Sequence, residues 1–282
     1  MPLIDRGRRQ HRLNLLAGRL YGQSVSASGL SDDQVATFVR DGAIPVRGAF
    51  PATVADQCRA ILWRTSGCDE HDPSTWTKPV IRIDGRADAP FVAAANTARL
   101  HRVFDQLAGP GRWLPPHGLG TFPIRFPSPH DPGDTGWHIE ATGADGDGRP
   151  TVDPASRSRV LLMLFLFSEV GPDDAPTRIR LGSHRRAARR LAAAHGAPLD
   201  FMDLCRELAA ETADLSESYA TGQPGDVWLC HPFLVHAAQR HRGTGVRFMA
   251  QPPLAGTGPI DAHRPAPDRS PVEDAIADIA AG

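Results

Sequence analysis

Neither sign of charge dominates this chain: 31 Lys and Arg stand against 32 Asp and Glu, a formal net charge of -1. That balance excludes a dedicated nucleic-acid binder, whose affinity depends on clustered cations facing phosphates. Cysteine is sparse and scattered. Cys58, Cys68, Cys205 and Cys230 form no CxxC pair, which argues against a structural zinc site. No long apolar stretch follows the early charges, so no signal peptide is evident. The longest apolar run, residues 160–167, is too short to cross a bilayer, and there is no internal repeat. These absences lead us to expect a cytoplasmic protein with free thiols, no membrane or nucleic-acid partner, and small molecules as its ligands.

What is present is an ordinary apolar content of 41% over 282 residues, enough for a sizeable core without staples. Glycine (27) and proline (26) are abundant, as in an all-β core with many turns. Residues 1–30, with Arg6, Arg8, Arg9 and Arg12, read as a solvated N-terminal arm, and residues 31–282 as one domain. Ser31 and Gln34 form a capping box stapled by Leu30 and Val35, Val35, Phe38 and Val39 continue the apolar stripe, and Gly42 stops the helix. A short strand follows at 43–46. Further helices are expected over 51–64 and 98–108, the second with Leu100, Val103, Phe104 and Leu107 at helical spacing and Gly109 as its stop.

From residue 121 the period changes to two. Phe122, Ile124 and Phe126 alternate with Thr121, Pro123 and Arg125. Strands are expected at 137–141, 159–168, 177–181, 226–230, 234–237 and 246–252. A basic helix capped by Ser183 should end at Gly196, and an amphipathic helix should cover 201–208. Residues 141–156, rich in Gly, Asp and Pro, are a candidate lid, and 256–270 form a proline-rich tail. Helices first and strands later suggest a mainly β fold with flanking helices, a jelly roll by strand count.

The chemistry concentrates in four residues. In a strand, residues two apart share a face, so His138 and Glu140 can hold one ion together while Ile139 points away. His236, in the apolar context Leu-Val-His-Ala-Ala, could be a buried core histidine. Paired with H-x-E and with Arg247 eleven residues later, it reads as the third ligand. Two histidines and a carboxylate form the facial triad of non-haem Fe(II) sites. Arg247 stands between Val246 and Phe248, and a strand arginine there needs a carboxylate, from the protein or from a cosubstrate such as 2-oxoglutarate. His71, His130, His231 and His241 read as turn or loop residues. Arg82 and Arg125, each inside an apolar strand, could face the cavity and bind an anionic substrate, or could be structural ion pairs. Trp137 reads as core. The cluster Arg178, Arg180, Arg185, Arg186, Arg189 and Arg190 could meet a phosphate-bearing carrier, though a solvated helix face explains it better.

With these residues in hand, the chain resembles the phytanoyl-CoA dioxygenase family of Fe(II)/2-oxoglutarate-dependent oxygenases. Residues 41–50 (DGAIPVRGAF) are similar to the family's opening and 136–140 (GWHIE) to its G-W-H-x-D strand. Residues 176–184 (PTRIRLGSH) and the sequence GDVWL at 225–229, followed by His236 and Arg247, match its later segments in order. The resemblance implies a double-stranded β-helix (jelly roll, cupin-like), with His138, Glu140 and His236 on iron and Arg247 on 2-oxoglutarate. Thr177 would hydrogen-bond the cosubstrate carboxylate. It further implies that O2 and 2-oxoglutarate are consumed, with succinate and CO2 released, in oxidation of a small molecule. Hydroxylation is the expected outcome, and desaturation or cyclisation the variants. The chain departs from the family in three places: Glu140 for Asp, Leu181 for Pro, and Ala238 for a hydroxyl residue. An intact carboxylate argues against halogenation. The rival readings are a cupin-like metalloenzyme without 2-oxoglutarate, which would have no use for Arg247, and a non-catalytic binding protein on the same scaffold.

Overall fold

A computed structural model describes residues 28–277, so the arginines of the N-terminal arm lie outside the described residues. The first helix, α1 (Asp32–Asp41), begins where expected. Ser31 accepts from the Gln34 N–H while the Gln34 side chain accepts from the Ser31 N–H, and Gly42 closes the helix with φ 81°. A side chain at residue 42 would collide with His184, its Cβ lying 2.3 Å from Nδ1. Then come β1 (Ala43–Val46), α2 (Ala52–Ser66), β2 (Val80–Ile83), α3 (Ala89–Ala95), α4 (Ala98–Ala108) and β3 (Phe122–Arg125). α3, unforeseen in the sequence, starts after Asp88 with Pro90 in its first turn.

The second half contains β4 (Gly143–Ala144), β5 (Pro150–Val152), β6 (Leu161–Leu166), β7 (Arg178–Arg180), α5 (Ser183–Ala192), β8 (Leu199–Asp200) and α6 (Phe201–Glu211). It ends with β9 (Glu217–Tyr219), β10 (Val227–Cys230), β11 (His236–Ala237), β12 (Met249–Ala250), β13 (Pro253–Leu254) and α7 (Pro271–Asp274). Antiparallel pairing orders the major sheet β1-β10-β6-β12, with β13 also on β6. A bridge between Arg125 and Arg247 carries β3 and β2 onto the same layer. The minor sheet runs β11-β7-β9, and a bridge between His138 and His236 adds residue 138 to its edge. Two antiparallel sheets facing each other, with helices outside, form the expected jelly roll.

β6 explains the layering. Paired on both sides, it is buried along its whole length, as its unbroken apolar sequence requires. Leu161, Met163 and Phe165 join the cluster of α1–α4 outside the major sheet, whereas Leu162, Leu164 and Leu166 meet Ile179, Trp228 and Met249 between the sheets. On the outer face of the minor sheet, Ile139 and Val235 pack with Leu191 of α5 and Leu204 and Leu208 of α6. The G-D pair of residues 225–226 pins the start of β10. Asp226 accepts from the Gly48 N–H (2.8 Å) and the Gln223 N–H (2.9 Å) and pairs with Arg47 at 2.8 Å.

Several expectations change. The strand expected at 137–141 reduces to the single bridge at His138, and that at 246–252 to Met249–Ala250 plus the Arg247 bridge. β3 buries Pro123 and Arg125 as well as its aromatic face. Gly182, not Ser183, is the N-cap of α5, which ends at Ala192. Ser183 lies inside the helix, where its hydroxyl accepts from the Val235 N–H at 2.9 Å. α6 continues to Glu211. The segment named as a candidate lid contains a hairpin, β4–β5, paired to β8. None of the helices among the described residues is long and apolar enough to cross a membrane. All four cysteines are free, as expected.

Ser183→Ala removes the one partner of a buried N–H next to His236. A buried donor left unsatisfied costs about 1–3 kcal/mol. We therefore expect the urea midpoint to fall by that equivalent at unchanged slope, and an unmoved midpoint would show that the bond contributes nothing.

Candidate metal centre

Two main-chain hydrogen bonds assemble the site. The His138 N–H donates to the His236 carbonyl and the His236 N–H to the His138 carbonyl, both at 2.9 Å. Residues directly opposed in an antiparallel pair project to the same face. Imidazoles far apart in sequence thus stand with ring centroids 4.4 Å apart. Glu140, two residues on, returns to that face while Ile139 enters the outer cluster. One ligand atom from each of His138, Glu140 and His236 lies within 4.8 Å of the others.

Both rings are oriented in the same way. His138 Nδ1 is 2.9 Å from the Gly136 carbonyl and His236 Nδ1 is 3.0 Å from the Leu234 carbonyl. A carbonyl only accepts, so each Nδ1 carries a proton and each Nε2 is the ring atom left to face the site. Metal-binding histidines are held by such a second hydrogen bond. Burial, and then the neighbouring His236, push the His138 pKa down to about 4, which keeps that ring neutral at physiological pH. Burial pushes the Glu140 carboxyl up, but His236, Arg159 and His138 together outweigh it and hold it at about 2. His138 as a neutral imidazole and Glu140 as a carboxylate are in the protonation states that binding a divalent cation requires.

The residues fit such an ion. His236 Nε2 lies 3.3 Å from Glu140 Oε1 but without hydrogen-bond alignment, and it is buried with no hydrogen-bond partner. A buried polar atom without a partner needs an explanation. A ferrous ion bound by both Nε2 atoms and the carboxylate supplies one.

Arg247 meets the same test. Its backbone pairs with that of Arg125, and its side chain is 1% exposed. Nη1–H donates to the Ala175 carbonyl and Nη2–H to the Pro123 carbonyl (3.0 Å), while Nε has no partner. Among the described residues, no carboxylate lies within ion-pair distance of it. Burial, followed by the charge of Arg125, holds the guanidinium well below its ordinary pKa. Residue 247 is therefore a buried cation that Asp134 reaches only through space and that no carboxylate among the described residues pairs directly, as a site for a carboxylate would be. Thr177 is buried just before β7, its hydroxyl 3.9 Å from Met249 Sδ.

Arg82, largely exposed, and Arg125, buried, share one carboxylate. Both bind Asp134 Oδ2, Arg125 at 2.7 Å, and Arg125 Nη1 also reaches the Gln239 carbonyl at 3.3 Å. Asp134 biases both His138 and Arg247 electrostatically, so the loop before residue 138 contributes charge to the site. The sequence reading missed Asp134, which lies in a Pro-Gly turn with no periodicity. It also missed Arg159, whose Nη2 lies 3.6 Å from Glu140 Oε2. A charge at the head of an otherwise apolar strand was the available signal. His231 and His241, expected in polar turns, are buried; His241 Nε2 lies 4.0 Å from Asp174. Trp137 lies under Arg178 and Arg180, at 4.5 and 4.0 Å, and Arg186 and Arg190 pair with Asp214 and Glu207. These cations are already engaged within the fold.

A phytanoyl-CoA dioxygenase (PhyH) family model matches residues 38–249, from the end of α1 to β12. The chain belongs to the phytanoyl-CoA dioxygenase family. Membership brings the reaction class, that of a non-haem iron, 2-oxoglutarate-dependent oxygenase. EctD from S. alaskensis, solved with 2-oxoglutarate and 5-hydroxyectoine, is 20% identical with TM-score 0.52, over 82% of this chain and 78% of its own. The same protein with bound Fe gives the same figures. SnoK, a non-heme alpha ketoglutarate dependent carbocyclase from nogalamycin biosynthesis, is 16% identical with TM-score 0.54, over 82% of this chain and 87% of its own. At these identities the likeness establishes the family's fold. No curated protein matches this chain.

Because the Arg247 charge is buried without a counterion, Arg247→Met should leave the melting temperature of the ligand-free protein unchanged or raised. A fall of more than about 2 °C, roughly 1 kcal/mol for a chain of this size, would show that its two carbonyl bonds outweigh the cost of burying the charge.

Proposed function

We propose that His138, Glu140 and His236 hold Fe(II), and that Arg247 receives the distal carboxylate of 2-oxoglutarate. The chain would then hydroxylate a C–H bond of a small molecule. When bound, the metal with 2-oxoglutarate and O2 supplies the oxidising power, one oxygen atom entering the substrate and the other entering succinate as CO2 leaves. The remaining work belongs to the protein. The carbonyls of Gly136 and Leu234 fix both imidazoles with Nε2 inward. Glu140 supplies the single anionic ligand, leaving one face of the ion for exchangeable ligands. Arg247 would neutralise a carboxylate away from bulk solvent, and the buried Thr177 hydroxyl would donate a hydrogen bond to the same ligand. Arg82 and Arg125 enter this reading through Asp134, which they hold beside the site, rather than as open substrate contacts.

The observation that carries the proposal is the pair of inward Nε2 atoms, one of them buried without a hydrogen-bond partner, beside an ionised carboxylate. The uncompensated Arg247 favours 2-oxoglutarate over a metalloenzyme that does without it, and the complete triad disfavours a non-catalytic scaffold. The oxygenase unit is read as residues 31–282, because Glu273 of α7 pairs with Arg112 and Arg264 and so fastens the proline-rich tail to the body. Four free thiols favour a reducing, cytoplasmic setting.

The test requires no knowledge of the substrate. Fe(II)-dependent release of succinate from 2-oxoglutarate should occur slowly in the wild-type protein. It should disappear in His138→Ala and His236→Ala with circular dichroism unchanged. In Arg247→Met the half-saturating 2-oxoglutarate concentration should rise by about 100-fold, the loss expected when a charged hydrogen-bonded contact worth 2–3 kcal/mol goes. Full turnover in either histidine variant would overturn the ligand assignment, and an unchanged 2-oxoglutarate requirement would overturn the role of Arg247.

A further inference from the structure

Resting on the reading of the triad as a metal site, we propose that Arg159 is the positioning residue of Glu140. It holds the outer carboxylate oxygen so that only the inner one is presented to the metal. The two oxygens of Glu140 face different neighbours. Oε1 lies 3.3 Å from His236 Nε2, on the triad side, and Oε2 lies 3.6 Å from Arg159 Nη2. The Arg159 side chain is 11% exposed, and Glu140 is its ion-pair partner among the described residues. Its Nε and Nη1 are buried with no hydrogen-bond partner, so this guanidinium is not placed to satisfy its own donors. Its one ion-pair contact among the described residues is with the ligand.

The base of Arg159 is fixed. The Val160 N–H donates to the Leu254 carbonyl at 2.7 Å, and the Gly256 N–H donates to the Arg157 carbonyl at 2.9 Å. These bonds lock the backbone on both sides of residue 159, at the point where the chain enters β6. The need for a brace follows from the ligand. Glu has one more rotatable bond than Asp, and its carboxylate can reach a metal with one oxygen or with both. Engagement of both would take a position that a facial triad leaves open. A cation on Oε2 confines the carboxylate to one.

Two effects of removing Arg159 oppose each other. Loss of a nearby positive charge favours a divalent cation, whereas loss of the outer partner frees the ligand and disfavours it. Because the Arg159 charge is already paired with Glu140, orientation dominates. Losing such an outer partner typically weakens metal binding about 10–100-fold.

Anaerobic titration with Mn(II), following the free ion by electron paramagnetic resonance, separates the possibilities. Arg159→Met should bind Mn(II) about 10–100-fold more weakly than wild type, and Arg159→Lys, which restores a positive charge near Oε2, should recover part of the loss. If Arg159→Met fails to fold, Arg159→Gln carries the same expectation. Affinity in the neutral variant equal to or tighter than wild type would overturn the proposal while leaving the triad intact. If wild type binds no Mn(II), or His236→Ala binds it as tightly as wild type, the metal assignment itself falls, and the role of Arg159 with it.

Discussion

One antiparallel register, the pair of main-chain bonds between residues 138 and 236, carries the centre of this protein. It sets two histidines from opposite halves of the chain side by side, and the two-residue period then adds Glu140. A slip of one residue would exchange the faces. His138 and Glu140 would enter the apolar cluster under α5 and α6, and Ile139 would point into the site. The register is held from outside by Ile139 and Val235 packing against Leu191, Leu204 and Leu208, and from β7 by the pairing of Ile179 with His236. The Ser183 hydroxyl occupies the Val235 N–H, tying α5 to the same strand. Packing on the outer face thus determines the chemistry on the inner one.

Around this frame, charges near the site take three different arrangements among the described residues. Arg82, Asp134 and Arg125 form a chain in which one carboxylate serves two cations. Arg159 and Glu140 form a pair shared with the triad. Arg247 has carbonyl partners but no counterion. A fold selected for stability alone would replace such an arginine with an apolar residue of similar size, which is often neutral or stabilising. Its place at the bridge that joins β3 to the major sheet is consistent with a ligand that completes the charge balance on binding. The His236 Nε2 atom is a smaller instance: buried, 3.3 Å from Glu140 Oε1 and without a hydrogen-bond partner among the described residues.

How much of this was legible depended on the range of the interaction involved. The capping box at Ser31, the stop at Gly42 and the apolar spacing of α4 are local signals, and each element formed where its residues indicated. The His138–Glu140 period and the spacing of His236 to Arg247 were readable because strands alternate regularly. Pairing partners were not readable. The strand expected around His138 contracts to one bridge because its neighbours turn away into the loop before it and the hairpin after it. Arg125 read as a possible substrate contact, since nothing nearby in sequence announced that Asp134, in a turn nine residues on, would bind it. Arg159 was absorbed into the apolar run that follows it. Ser183 resembled a cap by residue type, but its hydroxyl serves a strand 52 residues downstream. Counterions and side-chain partners are chosen by the fold, and a single sequence records them only as charges in unexpected places.

The claim on which the account depends is that both histidines bind one metal ion through Nε2. Electron spin-echo spectroscopy of the Mn(II)-loaded protein tests it directly, because imidazole nitrogens bound to the ion modulate the echo. The account predicts modulation from two histidine nitrogens, falling to one in either single histidine variant. An echo without nitrogen modulation, or one unchanged when His138 or His236 is replaced, would contradict it.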